Sequence, residues 1–366
     1  MDKQRETEYL NWLCHVPFFG AVTIRSLYEK VGSFEMIYNI EGRQLQKLYG
    51  VSEKAVTEFE KYKKTLDDTR REMEELDKRK IRFITPFDKE YPTRLLHLPD
   101  YPMGLYVKGK LPCEDQPSAA VIGARACTEY GRQTAMWISG ELAKMGIQMI
   151  SGLASGIDGA CHRGTLEAEG DTYGVLGCGI NICYPKENYY LFEKMGEKGG
   201  ILTEFNPKEE PRPQNFPMRN RIISGLSDVI LIIEAREKSG SLITASLGLE
   251  QGKEIFALPG RITDPLSIGC NRLIAEGAAV LTGPESVLEY LEIQSGKLLR
   301  VHKINNYGLA KKEKMVYSCL DLQPKGLEEI VRTSGLSVNQ CMNILLELEL
   351  KGLVVQTSCQ YYGKKL

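Results

Sequence analysis

Short apolar runs recur through the middle of the chain, at residues 119–122, 147–150, 173–176, 200–203, 229–233, 254–258 and 278–281. Helical patterns lie between most of them. A strand buried on both faces reads as a continuous apolar run, and strands alternating with helices make βαβ units. The spacing therefore predicts an α/β region built on a doubly wound, mostly parallel sheet. Nearly every run ends in a loop containing Gly or Pro, so polar loops should crowd one edge of that sheet. Ligands of open α/β sheets gather at this edge, where strand ends meet helix starts.

The flanks read differently. Residues 1–80 look helical. The turn Val16-Pro17-Phe18-Phe19-Gly20 leaves two readings open, a helix-hairpin-helix unit of the SAM-like kind and a plain helical bundle. Residues 51–80, dense in charges of both signs, read as one long amphipathic connecting helix. Prolines thicken from 81 to 109, where Leu105-Tyr106-Val107 reads as a strand. Residues 81–290 are expected to form the central domain and 291–310 a linker. Residues 311–366 read as helices, a turn at Gly335-Leu336-Ser337 with Ser337 as N-cap, a third helix and a short hairpin. This is a winged-helix pattern. Its third helix carries Glu347 and Glu349 and no base before Lys351, so a protein-contact role is expected rather than groove reading.

Bulk properties limit the function. The net charge of −1 excludes a uniformly basic nucleic-acid binder, so any such binding needs a local patch. The ten cysteines form no CxxC and the four histidines no metal-ligand spacing, so no metal and no cofactor is expected. No signal pattern is seen and no apolar run reaches the ~18 residues of a membrane span. A cytoplasmic location without a membrane span is expected.

The chemistry gathers in the loops. Val121-Ile122-Gly123-Ala124-Arg125 follows one strand, and Ser151-Gly152-Leu153-Ala154-Ser155-Gly156-Ile157-Asp158-Gly159 follows the next. Glycines let a ligand approach the backbone, and free amides at a helix start favour phosphate. Arg125 stands where a dinucleotide fingerprint needs its second glycine, so the loop reads as a phosphate grip rather than a dinucleotide site. Asp158 and His162 share a helix face and read as an acid/base pair or as a cap and a packed ring. A third loop, Gly177-Cys178-Gly179-Ile180-Asn181, leads to Lys186, a second phosphate contact, with Tyr189 or Tyr190 as a stacking face. Phe216-Pro217-Met218-Arg219-Asn220-Arg221 heads an apolar helix and is expected to aim Arg219 and Asn220 at the cradle. Ser239 to Thr244 opens another helix. Glu204 and Glu234 end strands and read as anchors for loops or arginines.

Together these stretches resemble the DprA/Smf family of DNA-processing proteins. The markers are IGAR (122–125), SGLASGID (151–158), GCGIN with YPKEN (177–188), FPMRNRIISGLS (216–227), SGSLIT (239–244), ALPG (257–260) and GCNRLIAEGA (269–278). Ala124 stands where the family usually has Ser. The resemblance implies an extended Rossmann-like domain between an N-terminal helical domain and a winged helix. It implies a non-enzymatic homodimer that binds and protects single-stranded DNA and loads RecA in natural transformation. The DNA-binding set is then Gly123, Arg125, Ser151, Gly152, Gly156, Lys186, Asn188, Tyr189, Arg219, Asn220 and Leu242. The competing reading is a Rossmann-like nucleotide phosphoribohydrolase, for which Glu250 is the available carboxylate. The Pro-Gly-Gly-x-Gly-Thr loop of those enzymes is absent.

Overall fold

The structure is a computed structural model and describes residues 3–295, 310–321, 324–358 and 360–364. The chain divides into two compact units, 1–299 and 300–366.

The first unit opens with α1 (Lys3–His15), α2 (Ala21–Val31), α3 (Phe34–Asn39), α4 (Gly42–Tyr49), α5 (Glu53–Tyr62) and α6 (Leu66–Lys78). Trp12, Phe34, Ile37 and Phe59 centre their core. The single connecting helix expected over 51–80 is two helices, separated by a 3₁₀ turn at Lys63–Thr65. The Tyr62 carbonyl accepts both the indole N–H of Trp12, fifty residues earlier, and the Thr65 hydroxyl. Met103 belongs to this core and Phe83 and Tyr101 pack on its rim, so the change of class near residue 80 falls inside one compact unit.

The sheet has nine strands in the order β1-β2-β6-β5-β4-β3-β7-β8-β9. β1 (Ile81–Ile84) and β2 (Leu105–Gly109) pair antiparallel, and β2 pairs antiparallel with β6. The rest is parallel: β3 (Ser118–Ile122), α7 (Glu129–Lys144), β4 (Gln148–Ser151), α8 (Ile157–Glu167), β5 (Thr172–Val175), α9 (Tyr189–Lys198) and β6 (Gly200–Thr203) run outward in one direction. The chain then returns through α10 (Asn215–Leu226) to β7 (Val229–Ile232), which pairs with β3 on its other side. α11 (Gly240–Glu250), β8 (Glu254–Ala257), α12 (Ile268–Ala275), β9 (Ala279–Val280) and α13 (Pro284–Ser295) complete the unit. Residues 291–295 of the expected linker are thus helical, and 296–309 lie outside the described residues.

Strand alternation divides the core in two. Ala120 and Ile122 of β3 face α10, α11 and α12, while Ala119 and Val121 face α7, α8 and α13. Strands buried on both sides explain the uninterrupted apolar runs. β3 and β7 run parallel, but the order in which strands are added reverses between them, which creates the crevice where doubly wound folds bind ligands.

The second unit contains α14 (Lys311–Ser318), β10 (Lys325–Gly326), α15 (Leu327–Ser334), α16 (Val338–Leu350), β11 (Val354–Ser358) and β12 (Tyr361–Lys364). Ser337 caps α16 by accepting the Gln340 N–H, and Gln340 returns the bond to the Ser337 N–H. Cys341, Ile344, Leu345 and Leu348 turn inward, and the opposite side exposes Val338, Met342, Leu346 and Leu350. Four-residue spacing makes these four an apolar stripe on the helix surface.

Candidate nucleic-acid interface

The loops after β3 and β4 lock together. Ile157 N–H donates to the Ala124 carbonyl at 3.3 Å. Gly156 has φ +76°, and a Cβ there would lie 2.3 Å from the Ala124 oxygen, so only glycine fits. This contact holds the first loop open and leaves Arg125 exposed beyond it. The Arg125 guanidinium lies 4.7 Å from the centroid of the Phe216 ring. No ion pair ties it to a described carboxylate. Glu204, a candidate partner by its place at a strand end, is held bidentately by Arg221 at 2.6 and 2.7 Å. Glu234 is likewise engaged, accepting the Thr128 N–H at 2.9 Å at the start of α7.

Two cavities flank the Arg125–Phe216 stack. The larger, about 530 Å³, reaches from Gly123 and Asn220 to Lys238, Ser239 and Gly240 at the start of α11. The smaller, about 120 Å³, lies against Gly152, Gly177, Tyr184 and Pro185. Arg125, Ala154, Tyr184 and Phe216 line both. The Tyr184 and Phe216 rings stand 5.8 Å apart with planes at 33°. A cationic edge, an aromatic pair and open glycine backbone therefore form one groove at the sheet's carboxyl end. Chemically, that combination suits a phosphate and ring faces for stacking bases.

Beneath the groove lies a buried charge network. Arg219 is 4% exposed and donates to the carbonyls of Gly152 (2.7 Å) and Val175 and to Asn220 Oδ1 (3.1 Å). A Cβ on Gly152 would come within 2.6 Å of the Arg219 guanidinium and of Asp158 Oδ2. Asp158 accepts the Gly152 N–H at 3.1 Å. Burial pushes the Asp158 carboxyl up from its usual range, against the pull of Arg219, and lowers Arg219 to about 10. Burial, with the Arg219 charge adding to it, pushes His162 down to about 3, and its Nδ1 bonds the Thr172 hydroxyl at 2.7 Å. Asp158 and His162 are therefore structural supports.

The expected site residues separate into three groups. Gly123, Arg125, Arg219 and Asn220 line the larger cavity, and Gly152 the smaller. Lys186 and Tyr189 are exposed just past Pro185 but line neither cavity. Ser151, Asn188 and Leu242 point elsewhere: the Ser151 hydroxyl donates to the Val121 carbonyl at 2.6 Å, the Asn188 amide to the Leu153 and Ala154 carbonyls at 3.0 Å, and Leu242 packs on the core. Arg219 lines the larger cavity from below, with Nη1 given to two carbonyls and Nε to the Asn220 side chain. Gly156 serves the loop contact. Sequence reasoning missed Tyr184, Phe216 and Lys238 as cavity residues. An aromatic directly before proline, Tyr184-Pro185 and Phe216-Pro217, was the available signal for the first two.

Among the described residues, no group of three or more His, Cys, Asp or Glu could hold a metal, and no helix is long and apolar enough to cross a membrane.

The family model for DNA recombination-mediator protein A matches residues 82–292, and the model for the DprA winged helix domain matches 306–358. Protein Smf of Escherichia coli is 44% identical over 211 residues, 57% of this chain and 56% of its own length. The chain thus aligns with just over half of that relative. The X-ray structure of DNA processing protein A from Streptococcus pneumoniae superposes with a TM-score of 0.67 at 32% identity, covering 77% of this chain and 95% of that one. A Helicobacter pylori DNA processing protein A structure, described for its single-stranded DNA binding mode, gives 0.53 at 30% identity, covering 58% and 97%. With the sheet, its crevice and the winged helix all in agreement, the chain belongs to the DprA/Smf family of DNA recombination-mediator proteins.

Proposed function

We propose that this chain binds single-stranded DNA along the groove at the carboxyl edge of β3, β4, β5 and β7, protects it, and hands it to RecA during natural transformation in the cytoplasm, acting as a homodimer. The observation that carries the binding reading is Arg125: an exposed guanidinium without an ion-pair partner among the described residues, stacked on Phe216 between two cavities. Backbone phosphate pairs with the cation, and unstacked bases meet Tyr184, Phe216 and the exposed Tyr189. Lys186 extends the positive edge. A strand-binding relative of known structure supports the same assignment. RecA delivery and dimerisation rest on membership of the family. The apolar stripe of α16 suits the winged helix to a protein contact, as a phosphate backbone needs cations there.

The hydrolase reading places catalysis on Glu250. That residue ends α11, whereas Ser239 and Gly240 at the cavity begin it, and eleven residues of helix span about 16 Å. The geometry disfavours it. Binding of oligo-dT measured against an equal length of blunt duplex tests the proposal. Preference for the single strand is expected, and equal affinity for the duplex would overturn it.

A further inference from the structure

Three cations line the larger cavity, Arg125, Arg219 and Lys238, against one carboxylate, Asp158, whose Oδ2 already accepts the Gly152 N–H. Lys238 is exposed and forms no ion pair with a described carboxylate. Arg219 is nine-tenths buried, yet its Nη2 has no hydrogen-bond partner among the described residues while Nε and Nη1 are engaged. A buried guanidinium with a spare donor edge on a cavity is a prepared anion contact. The start of α11, an eleven-residue helix, adds Gly240 and the hydroxyls of Ser239 and Ser241, 2.7 Å apart. Ile122 and Ile223, both buried, line the same cavity.

The geometry points to a phosphomonoester subsite in this cavity, taking the phosphorylated end of the bound strand. The inference rests on the strand-binding reading above and adds the end to it. An interior phosphodiester carries one negative charge and must leave chain on both sides. A terminal monoester carries about −1.5 to −2 near neutral pH and ends in free acceptor oxygens. Only the second matches three cations set against a single carboxylate. Interior phosphates then lie toward Arg125 and the smaller cavity, with Lys186 beyond.

The test uses the full chain and internally labelled oligo-dT carrying a 5′-phosphate, a 3′-phosphate or hydroxyls at both ends. One phosphorylated end should bind about tenfold more tightly than the hydroxyl-ended strand, the scale of an added charge-assisted contact. In Lys238→Ala that ratio should fall below about threefold, and Lys238→Arg should restore it. Equal affinity for all three strands overturns the subsite and leaves the strand-binding reading standing. An unchanged ratio in Lys238→Ala also overturns it, by placing end recognition elsewhere. No binding of any strand overturns the parent reading, and the subsite with it. Thymidine 5′-monophosphate is the competing source of the same chemistry and should displace the strand only at far higher concentration than the strand's Kd. Displacement near that Kd would assign the cavity to a free nucleotide and overturn the strand-end assignment.

Discussion

The loop after β3 and the head of α10 each bring an arginine to the same cavity, and the two are used in opposite ways. Arg125 is exposed, rests on an aromatic ring and leaves its donors to solvent or ligand. Arg219 is buried and spends Nε and Nη1 on protein oxygens. A cation offered to a ligand is cheap to keep in water. A cation under the floor costs desolvation and survives through its partners. The comparison teaches that one groove can carry both kinds: one guanidinium left open to solvent, another spent on holding the carbonyls of the Ser151–Gly159 loop and of β5 in place.

That division can be broken most severely at Arg219. Arg219→Ala should cost about 3–5 kcal/mol of stability by stranding two carbonyls and the buried Asp158, read by urea denaturation. A loss below about 1 kcal/mol would show that Arg219 does not hold the loop in place. Arg125→Ala should leave the melting temperature unchanged and weaken strand binding by about 1.5–3 kcal/mol, tenfold or more. Its log–log salt slope should flatten by roughly 0.7, one counterion on a single strand. A lower melting temperature with intact affinity would reverse the two roles.

The buried side can be sharpened by pH. His162 has its folded value lowered from 6.5 to about 3. Above 6.5 both states are neutral. As pH falls below 6.5 the unfolded chain takes the proton and the folded one does not, so stability drops by about 1.4 kcal/mol per pH unit until about 3. His162→Gln should flatten the stability profile between pH 6 and 4 by about one proton, with His15, lowered to about 4, still contributing. Smaller again, Phe216→Ala removes the ring under Arg125 and should cost about 1 kcal/mol in affinity, roughly fivefold. The least effect belongs to the second unit. A chain ending at residue 295 should bind oligo-dT within about threefold of the full chain, since α16 offers no cationic row to phosphate. A larger loss would assign strand contacts to the winged helix.

The strands of the crevice were legible because β3, β4 and β7 are apolar on both faces. β1 was not: Ile81-Arg82-Phe83-Ile84 is short, carries a charge and pairs on one side only. The break at 63–65 depends on an indole fifty residues away, which no local pattern carries. In the site, Gly123, Arg125 and Gly152 were legible because their place is set by the chain itself, directly after a strand. Ser151 and Asn188 have the right chemistry in the right loops, but strand pairing and loop folding turn their side chains to backbone partners. Arg219 reads from sequence like any arginine heading a helix. Only the packing of α10 over β4 and β5 shows that it points inward. Tyr184, in a loop, and Phe216, at the head of α10, meet across about thirty residues, so neither stretch alone announces the pair.

The pairing of β3 with β7 also bears on how the molecule is made. Ala119 finds Val229 about 110 positions later in the chain. At synthesis speeds of roughly 5–20 residues per second, the Arg125 loop waits about 5–20 seconds on the ribosome for its partner strand. Until then Val121 and Ile122 have one open side, and the crevice does not exist. Closure of such distant contacts carries the largest loop entropy and belongs late in folding. Under the proposed function, a nascent chain cannot grip nucleic acid before its central sheet is whole, and affinity for a strand becomes a measure of finished folding.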